Sequence, residues 1–225
     1  MDKLKRLNKK GKEICYIVDS LYAGMTSETR TYILTKLDVT ACPYCNRNYI
    51  NSSGTVNTSH LDHFINKNDY PIFAVSFYNL IPVCPACNML KRKSEFTYSP
   101  HNVNYKTDEM LRFSYHIKNT NYMQDKNALE IYIEVLDEII RENIEVVNLE
   151  GLYQIHRDVV QDLIKKRTIF SQEYVDEIMK NQEGMFDSIE EAYRILYSTY
   201  INQDDYGKRT LSKFAQDILK ELEVT

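Results

Sequence analysis

The chain has 225 residues, 43% of them hydrophobic, with only 6 glycines and 5 prolines, so it can build one large domain or two small ones with few backbone breakers. No run of about eighteen apolar residues occurs, and the lysine-rich N-terminus lacks an apolar segment; this argues against a membrane span or an export signal and predicts a cytoplasmic protein. The net charge of −4 hides a split: residues 1–118 carry 16 Lys and Arg against 10 Asp and Glu (net +6), and residues 119–225 carry 12 against 22 (net −10). These two stretches are the expected divisions of the chain. The basic one suits a polyanionic partner, and the acidic one is expected to face solvent or a protein.

Residues 1–12 form a basic lead-in, fit either for phosphate contact or for a solvated terminus. From Glu13, the apolar residues Ile14, Ile17, Val18 and Leu21 recur at helical spacing and stop at Gly24. Cys15 on this helix reads as a buried thiol. Thr26-Ser27-Glu28 predicts the capped start of a second helix to about Lys36, with Tyr32, Ile33 and Leu37 inward. Residues 49–50 suggest a short strand and 51–54 a turn. Residues 66–71 are polar and turn-rich and read as a loop, and a helix starts near Pro85.

Past Pro100 the pattern changes. Residues 112–117 and 129–135 alternate apolar and polar side chains and predict a hairpin. From Leu149 helical spacing dominates, with Leu152, Ile155, Val159 and Leu163 on one stripe, then helices over 174–179, 189–196 and 211–222. His156 reads as a packing or capping residue. The fold class expected is α+β, mainly helical, with N-terminal helices and a C-terminal helical part.

The stretch 42–93 carries the chemistry. Cys42-Pro43-Tyr44-Cys45 and Cys84-Pro85-Ala86-Cys87 are two Cys-x-x-Cys turns, each aiming two thiolates at one centre. Together they complete the tetrahedral S4 set that zinc prefers, at Zn–S of about 2.3 Å. The intervening residues 46–83 exceed the 15 to 20 or so of a simple four-cysteine finger, so a structural Zn²⁺ would staple the ends of a working unit. Disulfides or unpaired core thiols are the bland alternative, disfavoured in a chain without an export signal. A glutaredoxin-type redox pair would explain Cys42 and Cys45 but not Cys84 and Cys87.

Between the cysteine pairs, Asp62 and His63 are adjacent, which on a strand sends their side chains to opposite faces. Asn79 follows sixteen residues after His63, Asn88 nine further on, and Lys91 three beyond that. Lys91, Arg92 and Lys93 form a basic run beside Asn88, suited to phosphate. His60 and His101 are secondary candidates.

This arrangement resembles the HNH (ββα-metal) endonucleases, whose pattern is an Asp-His pair, a central Asn and a closing His or Asn just after a cysteine pair. The resemblance covers about fifty residues and implies a zinc-stapled ββα core over about 40–100, with residues 60–64 and 79–83 as its two strands leading into the helix near Pro85. It implies that His63 is the general base, that Asp62 and Asn88 hold one Mg²⁺ or Mn²⁺, and that Asn79 braces the loop between the strands. Asn88, where many relatives carry His, makes the site more oxygen-rich and favours a hard cation. The phrases Leu61-Asp62-His63-Phe64, Tyr70-Pro71 and Asn79-Leu80-Ile81-Pro82 look like the compact HNH proteins of Septu-type and retron-linked antiphage defence. That likeness implies an ATPase protein partner. The expected function is a metal-dependent endonuclease, with DNA favoured over RNA. The alternatives are a ribonuclease using the same site, tRNA cleavage for example, and a zinc-stapled nucleic-acid-binding module without catalysis.

Overall fold

The computed structural model describes residues 9–53, 56–102, 104, 106–181 and 184–224. The chain is α+β and about half helical, with small two-stranded antiparallel sheets. It divides into two compact units, Met1–Asn104 and Tyr105–Thr225. The charge-based split at 118 falls later, just beyond a strand that belongs entirely to the second unit.

In the first unit, helix α1 (Lys9–Ala23) is followed by α2 (Ser27–Leu37). The Thr26 hydroxyl accepts a hydrogen bond from the Thr29 backbone N–H, so the expected cap is in place. Ile33 and Leu34 are buried, whereas Tyr32, expected inward, is exposed. Ile17 and Leu21 of α1 are also exposed, although their spacing predicted a core stripe. The side chain of Cys15 and residues 1–8 of the basic lead-in lie outside the described residues. Strands β1 (Ser52–Ser53) and β2 (Val56–Asn57) pair as a short hairpin, so the turn expected over 51–54 is partly strand.

Strands β3 (His60–His63) and β4 (Leu80–Val83) pair antiparallel in the register His60↔Val83 to His63↔Leu80. Helix α3 (Pro85–Lys91) follows at once. Pro85 sits in its first turn, where a missing N–H costs nothing. Leu61 and Leu80 pack with Ile33 of α2, flanked by Tyr22, Met25 and Leu37, so the two N-terminal helices seat the hairpin. The Tyr22 hydroxyl also donates to the Leu61 carbonyl at 3.1 Å.

In the second unit, α4 (Thr107–Met110) leads into β5 (Leu111–Ile117), which pairs with β6 (Leu129–Val135) in one unbroken register. Helices α5 (Arg141–Val146), α6 (Leu149–Tyr153), α7 (Arg157–Ile169), α8 (Gln172–Asn181), α9 (Ile189–Tyr197) and α10 (Ser212–Glu221) complete it. A lone pair of strands leaves two unpaired edges, and helix side chains bond backbone groups on each of them. Asp217 of α10 accepts from the Phe113 N–H at 2.8 Å. Gln154 accepts from the Ile131 N–H, and Glu150 from the Ile133 N–H. The rings of Phe113, Tyr153 and Phe214 fill the space between, with centroids 4.3 to 5.4 Å apart.

Two features depart from the sequence pattern. A 3-10 turn over Gln154–His156 shifts the helical phase, so Ile155 is 64% exposed and the buried stripe of α7 is Val160, Leu163 and Ile164. A helical segment, a 3-10 turn over Glu138–Ile140 running into α5, occupies a stretch where no element was expected. His156 packs its ring toward Tyr153 and Phe214 and makes no side-chain cap to α7.

Candidate metal centre and adjoining polar site

Cys42, Cys45, Cys84 and Cys87 are all buried, and their sulfurs lie within 4.8 Å of one another. The Cys45 and Cys84 sulfurs are 4.0 Å apart. A tetrahedral Zn–S distance of about 2.3 Å implies S–S edges of about 3.8 Å, so the cluster needs little adjustment to hold such an ion. Among the described residues this is the one group of three or more Cys, His, Asp or Glu side chains close enough to share a metal.

The local fold explains the convergence. After Cys45 the chain reverses through Asn46, whose φ is 47° and whose N–H bonds the Cys42 carbonyl at 2.7 Å. Asn tolerates that left-handed conformation better than most residues. Cys84 caps α3, its sulfur accepting from the Cys87 N–H. The Asn48 amide and the Cys84 and Arg47 N–H groups also point at sulfur, at 3.3 to 3.4 Å. Burial pushes the Cys42 thiol well up, while hydrogen bonds from the neighbouring thiols and from Asn48 push Cys84 far down. Four sulfurs this close cannot all ionise unaided, and a bound cation is what makes a full thiolate set stable.

Asp62 lies on β3, only 5% exposed. Its Oδ2 accepts from the Tyr44 hydroxyl at 2.7 Å and faces the Lys91 ammonium at 3.1 Å. Lys91 also donates to the His63 carbonyl at 2.9 Å and sits over the Phe96 ring, with 1% of its surface exposed. The expectation that Lys91 contacts phosphate therefore meets a correction. The helix geometry turns its stem inward, and a buried carboxylate needs the charge there. Arg92 and Lys93 of the same run do line the open space beside the site.

His63 is half-buried. Its Nε2 lies 3.0 Å from the Ala74 carbonyl, which only accepts, so Nε2 carries the proton and Nδ1 holds the basic lone pair. Its ring packs on Tyr22, with centroids 4.6 Å apart. Burial, with help from Lys67 and Lys91, lowers its pKa below the ordinary histidine value despite the Ala74 bond and Asp62. Asn79 is buried and holds the loop that presents Ala74. Its side-chain oxygen accepts from the Ile65 N–H at 2.6 Å, and its amide donates to the Ile65 and Phe73 carbonyls.

A cavity of about 400 Å³ brings together Asp62, His63 and Asn88, with Lys67, Arg92 and Lys93 around it. The Asn88 amide nitrogen bonds His60 Nδ1 at 3.1 Å, which leaves the amide oxygen as a cation donor. Lys67 also pairs with Asp19 and lies over Tyr22. Arg92 ends α3 at φ 46° and folds its Nε onto the Met89 carbonyl. His101 is not part of this cavity; it reaches the Leu80 carbonyl and packs against Phe77 and Tyr78. Tyr44, Lys67 and Tyr22 are site residues that sequence reasoning did not single out. Only the position of Tyr44 inside the first cysteine turn could have drawn attention to it.

No protein-family model matches the chain, and comparison with curated proteins and with solved structures found no match. What the fold and site define is an α+β protein with a four-cysteine centre able to hold a metal such as zinc. No helix among the described residues is long and apolar enough to cross a membrane.

Proposed function

We propose that the protein is a metal-dependent endonuclease of the HNH type, with structural zinc at the four cysteines, acting on nucleic acid and preferentially on DNA. The observation that carries this reading is the cavity that collects Asp62, His63 and Asn88 and is rimmed by Lys67, Arg92 and Lys93. A hairpin (β3–β4) running directly into a helix (α3) supplies all three polar residues, as the resemblance implies.

The donor set fits a hard cation. The Asp62 carboxylate keeps acceptor capacity beyond its two partners, and the Asn88 oxygen is available. Mg²⁺ or Mn²⁺ held there would neutralise charge developing on the phosphate. The remaining work belongs to the chain. His63 takes the proton of the attacking water at Nδ1, and its lowered pKa keeps that nitrogen unprotonated near neutral pH. Lys67, Arg92 and Lys93 bind the phosphate backbone, and Asn79 keeps the Ala74 carbonyl on Nε2.

The resemblance alone supports an ATPase partner and a role in antiphage defence.

Supercoiled plasmid and tRNA, each offered with Mg²⁺ or Mn²⁺, test the reading. The wild type should nick the plasmid and His63→Ala should not. Cleavage of tRNA alone would move the substrate to RNA. Wild type and His63→Ala behaving alike on both would overturn the assignment.

A further inference from the structure

The hydroxyl that reaches Asp62 comes from inside the cysteine turn. Tyr44 lies between Cys42 and Cys45, and that turn is closed by the Cys45 and Asn46 N–H groups on the Cys42 carbonyl. Its ring meets Phe96 edge-on at 4.7 Å, and the same Phe96 ring carries the Lys91 ammonium on its face at 5.4 Å. Tyr44 and Lys91 therefore arrive from different elements and converge on one oxygen of Asp62, Oδ2. Asp62 also lines the cavity shared with Asn88.

We propose that Tyr44 is a positioning residue for the Asp62 cation site, coupling the four-cysteine centre to it: the turn that carries Cys42 and Cys45 sets the rotamer of Asp62 and turns Oδ1 toward the ion. The inference rests on the reading of Asp62 and Asn88 as cation ligands. It adds that metal at the cysteines governs the affinity of the second site through a single hydroxyl. Hydrogen-bond partners of a ligating carboxylate fix its orientation, and losing one typically weakens metal binding by about 10- to 100-fold.

The test is Mn²⁺ binding followed by electron paramagnetic resonance on zinc-loaded protein without nucleic acid. Tyr44→Phe removes only the hydroxyl and keeps the ring on Phe96. It should retain zinc and thermal stability close to wild type, yet raise the Mn²⁺ Kd by about tenfold or more. Replacing the zinc by Co²⁺ gives a thiolate spectrum that should be unchanged in the variant, showing that the turn itself is intact. Should Tyr44→Phe lose zinc, the same measurement is made after loading with Cd²⁺, which soft thiolates hold tightly. An unchanged Mn²⁺ Kd with the cysteine centre filled would overturn the positioning role while leaving the ion site standing. A wild type that binds no Mn²⁺ would instead remove the ion site, and this inference with it.

Discussion

Lys91 and Asp62 form an ion pair at 3.1 Å in which the side chains are 1% and 6% exposed. A buried charge is tolerated only when paired and hydrogen-bonded, and here the Tyr44 hydroxyl adds a bond to Asp62 and the His63 carbonyl accepts one from Lys91. Lys91→Met should therefore destabilise the first unit by about 3–5 kcal/mol, because it strands the Asp62 charge. Urea denaturation followed by circular dichroism reads the loss. Adding Asp62→Leu to Lys91→Met should recover most of it, and a double variant as weak as the single would contradict the explanation.

The cysteine centre should bind one zinc per chain, countable by elemental analysis. Structural metal free energy is folding free energy, so Cys84→Ser or a strong chelator should unfold much of the first unit. Full thermal stability in Cys84→Ser would show that the four sulfurs are only packing.

His63→Ala should cut the cleavage rate by about 10²–10⁴-fold while leaving zinc content unchanged. The pH dependence follows from the direction of the shift. Burial lowers the His63 pKa, so the neutral base survives to more acid conditions and the acid limb of kcat/KM should fall below about 6.5. The sign for stability is the same. The unfolded histidine binds the proton more readily, so this contribution is present above the ordinary value and is lost as pH falls through the folded one. An acid limb at or above the ordinary value would refute the assignment of His63 as a half-buried base.

Asp62→Ala and Asn88→Ala should each raise the Mg²⁺ concentration needed for half-maximal cleavage, and the double variant should add little, as expected for residues serving one ion. Asn88→His should keep activity and shift preference toward Co²⁺ or Ni²⁺. Midpoints unchanged in both single variants would place the cation elsewhere.

Asn79→Ala should behave differently from the ligand variants. It strips the Ile65 N–H and carbonyl of their side-chain partner, at about 1–3 kcal/mol, and loosens the loop carrying Ala74, although the Phe73 carbonyl keeps its bond from the Ser76 N–H. Activity should drop at every Mg²⁺ concentration with the midpoint held. A shifted midpoint would mean that Asn79 acts on the ion instead.

Much of this was legible in the chain because it depends on local period or fixed spacing. The β5–β6 hairpin follows from strict alternation, since the side-chain period of a strand is two. The cap at Thr26 and the start of α3 at Pro85 follow from backbone chemistry that needs no distant partner, and the two Cys-x-x-Cys turns are legible as a metal-binding set from their residue spacing, although Cys45 and Cys84 meet across 39 residues. The Asp137 side chain, which accepts from the Ile139 N–H, was a readable start signal for the missed helical segment before α5. Other features were decided only when elements packed. A helix period cannot see the 3-10 turn that rotates Ile155 outward, nor can a run of three basic residues show that Lys91 faces inward. The bonds from Tyr44 to Asp62 and from Lys91 to the His63 carbonyl span 18 and 28 residues. Such contacts exist because a buried carboxylate must collect donors from whichever elements surround it, and only the tertiary structure determines which those are.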